Sequence, residues 1–338
     1  METGYKVAVF GAYGHTGRFV VAELSERGFG VVASGRDEAK LLDLAADRPG
    51  LDVRQASVDD PASLDRALEG ADAVINAAGP FADTAAPVIE AALRAGLPYL
   101  DVAAELEANI DTFEAFAERA AGATVIPAMA FFGALGDLLA TAAMGEWTSA
   151  DEAHIAYALS SWYPTAGTRA ASKVSRERRN GQRIRFSGGR LEHVKGDLPT
   201  SEWTFPSPVG ARKVFGEFTM ADVITIPSHL AIPEVVTYMT VEAAKEVVTE
   251  TSAPAAVDES GRSAQTFLVD VVVRSGGEER RLVARGQDIY AVTAPLVVEA
   301  VHRVLTGRTK ATGVVSAGEI FDAADFLAAL APHITVES

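Results

Sequence analysis

The sequence contains no cysteine. This absence excludes disulfide bonds, thiolate nucleophiles and thiolate metal ligands, and it agrees with a cytoplasmic location. Positive charge is also scarce, because 30 Lys and Arg residues stand against 46 Asp and Glu residues and give a formal net charge of -16. Since phosphate groups and anionic lipids would be repelled, we expect neither a nucleic-acid nor a membrane partner.

Long uninterrupted apolar segments are missing as well. The stretch from Ala120 to Gly145 carries one charge, Asp137, but Pro127 and Gly133 interrupt it. A strand followed by a helix explains this stretch better than a membrane span does, so we expect it to be buried core. The first strand starts within a few residues of the beginning of the sequence, so we expect no signal peptide.

Several catalytic motifs are absent. None of the seven tyrosines is followed by a lysine four residues later, which excludes the Tyr-x-x-x-Lys mechanism of short-chain dehydrogenases. There is no G-x-S-x-G segment and no P-loop, so hydrolase and nucleotide-hydrolysing chemistry lack support. The six histidines show no metal-ligand spacing, and we predict no metal site.

What is present is a glycine motif in an informative place. An apolar strand ends at Gly11, and an amphipathic helix follows Gly14 and Gly17. Glycine permits the sharp turn, the close approach of a pyrophosphate to the backbone, and the close packing of helix on strand. The amides of the helix start would bind the anion. The loop residues assigned to this site are Gly11, Tyr13, Gly14, His15, Thr16 and Gly17, with His15 covering the pyrophosphate.

The first part of the chain alternates strands and helices with short connections. The predicted strands are 5–10, 31–34, 51–55, 72–77, 98–102 and 123–126, and the predicted helices are 16–27, 37–46, one opening at Pro61, 84–95 and 105–121. Right-handed crossovers favour the strand order 3-2-1-4-5-6. We therefore predict an α/β fold with a Rossmann doubly wound parallel sheet.

The pattern changes after Phe132. Strands that alternate apolar and polar residues are predicted at 152–161, 183–187, 189–195 and 266–285, and Gly276-Gly277 marks a hairpin. Two more helices are predicted at 292–305 and 323–330. We predict a Rossmann domain over 1–132, an inserted α+β domain with an antiparallel sheet over 133–291, and C-terminal helices over 292–338 that pack back on the Rossmann domain. The α+β domain would bind substrate and form a homodimer.

The residues after the second strand bear on the cofactor. NAD sites usually place a carboxylate there, whereas Ser34 and Gly35 are followed here by Arg36, whose guanidinium suits a 2′-phosphate. We favour NADP(H) over NAD, although Asp37 is adjacent and Arg36 is also able to stack on adenine. Further cofactor contacts are predicted beyond the third and fourth strands, at Val58, Asp59, Ala78, Gly79, Pro80 and Phe81.

Candidate catalytic groups follow the fifth strand. Asp101 would orient the nicotinamide or the substrate, and Tyr99 would donate a proton. The competing interpretation is that Asp101 caps the next helix and Glu105 serves its first turn. On the substrate side, Thr168 stands at the start of a helix whose amides suit a carboxylate or carbonyl oxygen, unless it is an ordinary cap. The other predicted substrate residues are Tyr163, Ser172 and Lys173.

Four segments together resemble the saccharopine dehydrogenase-like reductase family: 11–17, Gly35-Arg36, 76–81, and 96–101 through Glu105. The segments 126–138, Gly167 to Ser172 and 313–321 are similar to further family landmarks. The resemblance implies a Rossmann domain with an inserted α+β domain and binding of NADP(H). The family includes saccharopine reductases and trans-acting enoyl reductases. Ala104 replaces a family glycine, and Phe132, assigned to the substrate pocket, stands where many members carry an aspartate.

The sequence therefore predicts an NADPH-dependent oxidoreductase that reduces a C=C or C=N bond of a small organic metabolite by hydride transfer. Two alternatives stay open. One is an NADP(H)-binding sensor or pathway partner without turnover, and the other is an NAD-linked dehydrogenase that works oxidatively.

Overall fold

A computed structural model describes residues 3–249 and 254–338 of the chain. Its first part alternates strands and helices, as the sequence predicts. The strands are β1 (Lys6–Phe10), β2 (Gly30–Gly35), β3 (Asp52–Gln55), β4 (Ala73–Asn76), β5 (Tyr99–Asp101) and β6 (Thr124–Ile126). The helices are α1 (His15–Glu26), α2 (Glu38–Asp47), α3 (Pro61–Leu68), α4 (Phe81–Ala95) and α5 (Leu106–Phe116).

These strands form one parallel sheet in the order β3-β2-β1-β4-β5-β6, which confirms the Rossmann topology. Every residue of β4 is buried, because apolar side chains cover the sheet on both faces. Pro61 opens α3 in the first helical turn, where the missing amide does no harm. Gly96 ends α4 in the left-handed region at φ 69°.

The middle of the chain builds a second sheet with helices around it. After a π-type turn (Phe131–Leu135) come α6 (Gly136–Met144), β7 (Glu152–Leu159), α7 (Ala166–Arg178), β8 (Arg183–Ser187), β9 (Arg190–Val194), β10 (Thr200–Phe205), β11 (Gly210–Gly216), α8 (Asp222–Thr225), β12 (Glu234–Thr240), α9 (Val241–Glu246), β13 (Thr266–Ser275) and β14 (Glu278–Gln287). The turn Gly276-Gly277 joins β13 to β14, as predicted.

The second sheet is mixed rather than purely antiparallel. Its pairs are antiparallel except for β7 with β12, which run parallel. The prediction was wrong on this pair because β10, β11 and β12 were not foreseen as strands. A parallel pair needs a long connection, and the segment from α7 to α8 provides it.

The C-terminal part comprises α10 (Thr293–Leu305), β15 (Gly313–Val314), α11 (Ala317–Ile320), α12 (Ala323–Ala329) and β16 (Ile334–Glu337). Helix α10 packs against α1, and Arg27 joins the two through an ion pair with Glu299 at 2.8 Å. Strand β15 extends the first sheet beside β6, but β16 pairs with β14 in the second sheet. The tail thus packs on the first sheet and its helices, as expected, and it also adds a strand to the second sheet. The three-domain division itself stays a prediction.

The apolar stretch around the π-type turn lies in the core. Val125, Ile126, Leu135 and Leu138 are fully buried, as predicted for this segment. None of the helices in the described residues has the length and apolar character needed to cross a membrane.

Candidate dinucleotide and substrate site

The site begins at the turn that follows β1. Gly11 has φ 87°, and a side chain there would come within 2.8 Å of the Ala77 carbonyl carbon, since β1 and β4 end side by side. The Gly11 and Ala12 amides donate to the Ser34 carbonyl and tie the turn to the end of β2. Only glycine fits this backbone conformation and this space.

Gly14 and Gly17 shape the start of α1. Gly14 precedes the first helical residue, no side chain caps the amides of the first turn, and Gly14, His15 and Thr16 line a cavity. A side chain at Gly17 would collide with the Gly11 carbonyl oxygen, so this glycine allows the helix to pack on the turn. The His15 ring nitrogen Nε2 is buried without a partner, and burial lowers the pKa of this imidazole. A glycine cradle with open amides and an unpartnered polar atom fits a pyrophosphate.

A cavity of about 1260 Å³ opens from this turn and runs between the first sheet and the second part of the chain. It brings together most of the predicted cofactor residues: Gly11, Tyr13, Gly14, His15, Thr16, Gly35, Arg36, Val58, Asp59, Ala78, Gly79 and Phe81. Gly17, Ser34 and Pro80 do not line it. Gly17 and Ser34 instead support the turn from behind, through close packing and the Ser34 carbonyl.

Two charged residues, Arg36 and Asp37, follow β2 and make different contacts. The Asp37 carboxylate caps α2 by accepting from the Lys40 amide at 3.2 Å, and it pairs with the Lys40 ammonium at 3.0 Å. These contacts lower the pKa of Asp37. Arg36 is exposed at the cavity and makes no ion pair within the described part of the chain. Asp37 is thus occupied by its own helix, and Arg36 is the charge presented to a ligand.

Tyr99 and Asp101 do not reach the cavity. Both are fully buried, and the Tyr99 hydroxyl donates to the Asp101 carboxylate at 2.8 Å. The same carboxylate accepts from the amides of Ala103 and Ala128. Burial raises the pKa of Asp101 to about 6 and, together with the neighbouring Asp101, holds the pKa of Tyr99 well above its usual range. This corrects the expectation that the pair contacts substrate directly.

The pair instead supports the cavity wall. Asn76 donates to the Tyr99 hydroxyl at 3.2 Å, and its side-chain oxygen accepts from the Ala78 amide at 3.0 Å. Ala78 belongs to the loop that lines the cavity after β4. We propose that Tyr99 and Asp101 are positioning residues, which act on the site through Asn76 and this loop.

Glu105 caps a different helix from the one that we expected. Its carboxylate accepts from the amides of Phe81, at 2.8 Å, and Ala82, so it caps α4 rather than α5. Neither Asp101 nor Glu105 caps α5 by its side chain. Burial raises the pKa of Glu105, although the two amides act against the shift. Glu105 also lines the cavity, and its two hydrogen bonds hold the start of α4 in place beside the cavity.

The second part of the chain supplies the opposite wall. The predicted substrate residues Phe132, Thr168, Ser172 and Lys173 line the cavity, whereas Tyr163 lies outside it and is exposed. Helix α7 begins at Ala166, earlier than expected, and Thr165 caps it by accepting from the Thr168 amide at 3.1 Å. Thr168 therefore lies in the first turn, with its hydroxyl beside the cavity.

An aromatic wall was missed by the sequence analysis. The Phe132 ring packs on Trp162 with centroids 5.2 Å apart, and Trp162 packs on Phe218 at 6.3 Å. Met220 and Tyr290 also line the cavity. These residues come from distant segments and share no motif, so no local signal in the sequence identifies them as a group. They make the far end of the cavity apolar.

Comparison with known proteins agrees with this geometry. Residues 11–125 match a family described as NAD(P)H-binding, so the chain carries an NAD(P)H-binding domain. The structure is similar to apo saccharopine dehydrogenase (L-Glu forming) from Saccharomyces cerevisiae, with a TM-score of 0.67 over 99% of both chains at 12% identity. At this identity the similarity shows the fold alone, and it confirms the predicted resemblance at the level of fold.

One curated protein matches over a shorter region. A lipid droplet localized protein from Caenorhabditis elegans is 35% identical over 113 residues, which is 30% of this chain and 26% of that protein. The chain thus spans about a quarter of the length of the curated relative that it matches.

Proposed function

We propose that this chain, which joins an NAD(P)H-binding domain to a second part in the fold of saccharopine dehydrogenase, is an NADPH-dependent reductase of a small organic metabolite. One observation carries the proposal. The glycine cradle at Gly11 and Gly14 opens into a cavity that continues beyond the carboxyl end of β4 to an aromatic wall from the second part. Dinucleotide and substrate would meet there, at the position that doubly wound sheets favour.

The choice of NADPH over NADH rests on Arg36. A 2′-phosphate accepts charge-assisted, bidentate hydrogen bonds from a guanidinium, whereas a 2′-hydroxyl has little use for one. Asp37, the residue that argued for NAD, is committed to α2 and Lys40. This arrangement supports NADP(H) as the cofactor.

The cofactor supplies hydride chemistry when it is bound, and the protein supplies position and exclusion of water. Helix α1 and the loop after β4 would hold the dinucleotide, while Phe132 and Trp162 would keep the reacting carbon in an apolar environment. An electron-poor C=C or C=N bond is the substrate that suits such a site. Cytoplasmic location and a homodimer remain predictions from the sequence.

The test is a binding and turnover experiment with the purified chain. NADPH fluorescence would be titrated first, and NADPH consumption would then be followed with a panel of imines and enoyl thioesters. We expect saturable NADPH binding and turnover of at least one class. Binding without any turnover, together with capture of a partner protein, would favour the sensor alternative. Tighter binding of NAD with oxidative turnover would favour the dehydrogenase alternative.

A further inference from the structure

Tyr290 occupies a place in the cavity that no sequence motif marks. It lies between β14 and α10, and its ring contacts the His15 imidazole edge to face with centroids 5.2 Å apart. His15 begins α1 beside the glycine cradle. The Tyr290 ring therefore lies beside the glycine cradle, while its hydroxyl faces the start of α7 on the opposite wall of the cavity.

The phenol oxygen is surrounded by hydrogen-bond donors. Thr168 Oγ1 lies 3.0 Å away, and the Thr165 amide donates to the oxygen at 3.4 Å. The Trp162 Nε1–H is buried without a hydrogen-bond partner, and Trp162 lines the same cavity as Tyr290. Hydrogen bonds from the Thr165 amide and the Thr168 hydroxyl would stabilise a phenolate, which is the species left after a tyrosine gives up its proton.

The direction of the hydrogen bonds follows from the cap of α7. Thr165 Oγ1 accepts from the Thr168 amide and lies 3.0 Å from Thr168 Oγ1. If the Thr165 hydroxyl donates to Thr168, then the Thr168 hydroxyl is free to donate to Tyr290. In that arrangement the hydroxyl hydrogen of Tyr290 has no acceptor among these three hydroxyl groups. It is available to hydrogen-bond to a ligand in the cavity.

We propose that Tyr290 is the proton donor of the reduction, with Thr168 and Thr165 as the relay that restores its proton. The inference rests on the proposed function. A hydride, which the bound dinucleotide would supply as it is oxidised, would add to one atom of the substrate double bond, and the bond's electron pair would move to the other atom. That atom takes the proton as the Tyr290 O–H bond breaks. The phenolate then receives a proton from Thr168, Thr168 from Thr165, and Thr165 from water.

The ground state of Tyr290 suits this role. Burial raises the pKa of Tyr290 above its usual value, so the phenol is protonated and ready to donate at neutral pH. Two other titratable groups are close by: the neutral His15 imidazole and Asp288, whose carboxylate accepts from the Tyr290 amide at 2.9 Å. The Asp288 carboxylate disfavours a negative charge on the phenol, and the hydrogen bonds from Thr165 and Thr168 act in the opposite direction.

Kinetics of Tyr290→Phe provide the first test. With a panel compound that the wild type reduces, we expect kcat to fall about 100-fold or more, the usual contribution of a general acid. The NADPH dissociation constant from fluorescence should stay unchanged, because the hydroxyl serves the substrate. Tyr5→Phe, the same chemical change outside the cavity, should keep wild-type kcat. Wild-type kcat in Tyr290→Phe would overturn the inference, whereas a wild type without NADPH binding would overturn the proposed function.

A spectroscopic titration tests the donors without turnover. Ultraviolet difference spectra between wild type and Tyr290→Phe isolate the ionisation of this tyrosine. Thr168→Val removes one donor, and we expect it to raise the pKa of Tyr290 further, while Thr168→Ser should restore the wild-type value. An unchanged pKa in Thr168→Val would overturn the relay.

Discussion

At the scale of single residues, the two charges behind β2 decide how the chain would distinguish its cofactors. Read from the sequence, Arg36 and Asp37 point to different dinucleotides. The structure separates them because Asp37 is the cap of α2 and the partner of Lys40, while Arg36 projects at the cavity. A carboxylate that already accepts hydrogen bonds from its own helix is a poor acceptor for a ribose hydroxyl.

The corresponding prediction concerns Arg36→Ala. A hydrogen bond to a charged group is worth about 1.5–3 kcal/mol, so the NADPH dissociation constant should rise about 10- to 100-fold. The NADH dissociation constant should change little. Fluorescence titration of both dinucleotides measures the effect.

The matched control is Arg66→Ala, which removes an exposed arginine that lies outside the cavity and pairs with Asp60. Its affinity for NADPH should equal that of wild type. Equal losses for NADPH and NADH in Arg36→Ala would mean that the guanidinium stacks on adenine, as the alternative interpretation has it.

Single residues also differ in how well the local sequence identifies them as part of the site. The glycines could be found because each answers a local requirement of a turn or helix start. Tyr290, Trp162 and Phe218 could not, because nothing near them in the chain distinguishes them from core aromatics. Tyr99 and Asp101 were expected beyond the fifth strand at the cofactor-facing edge, but they form the two ends of β5, and their burial depends on packing from α4 and the loop at Ala128.

At the scale of elements, the packing of α1 on the turn after β1 determines the geometry of the cradle. Gly17 lies where a side chain would meet the Gly11 carbonyl oxygen, and this oxygen also accepts from the Gly14 amide at 2.9 Å. A shift of α1 would therefore disturb the amides that face the cavity. Stability and cofactor binding are coupled through this one contact.

We expect Gly17→Ala to lower the free energy of unfolding by about 1–3 kcal/mol, the usual cost of overpacking. NADPH affinity should fall as well, because the helix must move away from the turn. Urea denaturation and NADPH fluorescence measure the two effects.

Gly30→Ala is the control for this substitution. Its new methyl group would find only ordinary contacts, at 3.6 Å from Lys6, so stability should change by less than about 1 kcal/mol. If Gly17→Ala matched this control in both measurements, the close contact between α1 and the turn would not be what shapes the site.

The elements also differ in how well the sequence predicts them. Strands β1 to β6 of the first sheet were each predicted, since these segments are apolar and are separated by clear helix signals, whereas β15 was not predicted. In β10 and β11 most residues are exposed and the alternation is weak, so their pairing depends on distant partners such as β12. Helix caps were misassigned for the same reason, because Glu105 caps a helix that begins 24 residues earlier.

At the scale of the whole molecule, the chain is interleaved rather than divided into two consecutive halves. Strands β1 to β6 belong to the first sheet, and the segment after them forms the second sheet. Helix α10 and strand β15 then pack on the first sheet again, and β16 pairs in the second sheet. Glu299 on α10 accepts from Arg27 of α1 and from Arg303 of its own helix, at 2.8 and 2.7 Å. Neither sheet is complete without the C-terminal part.

This interleaving predicts that the molecule unfolds as one cooperative unit and that NADPH stabilises all of it. A ligand that binds only the folded state adds about 2.7 kcal/mol when its concentration is a hundred times its dissociation constant. Scanning calorimetry should therefore show one transition, and NADPH should move this transition as a whole to higher temperature. The shift should be smaller for Arg36→Ala at the same NADPH concentration, because its affinity is lower. Two transitions, of which NADPH moves only one, would show instead that the sheets fold independently and that the shared C-terminal elements do not couple them.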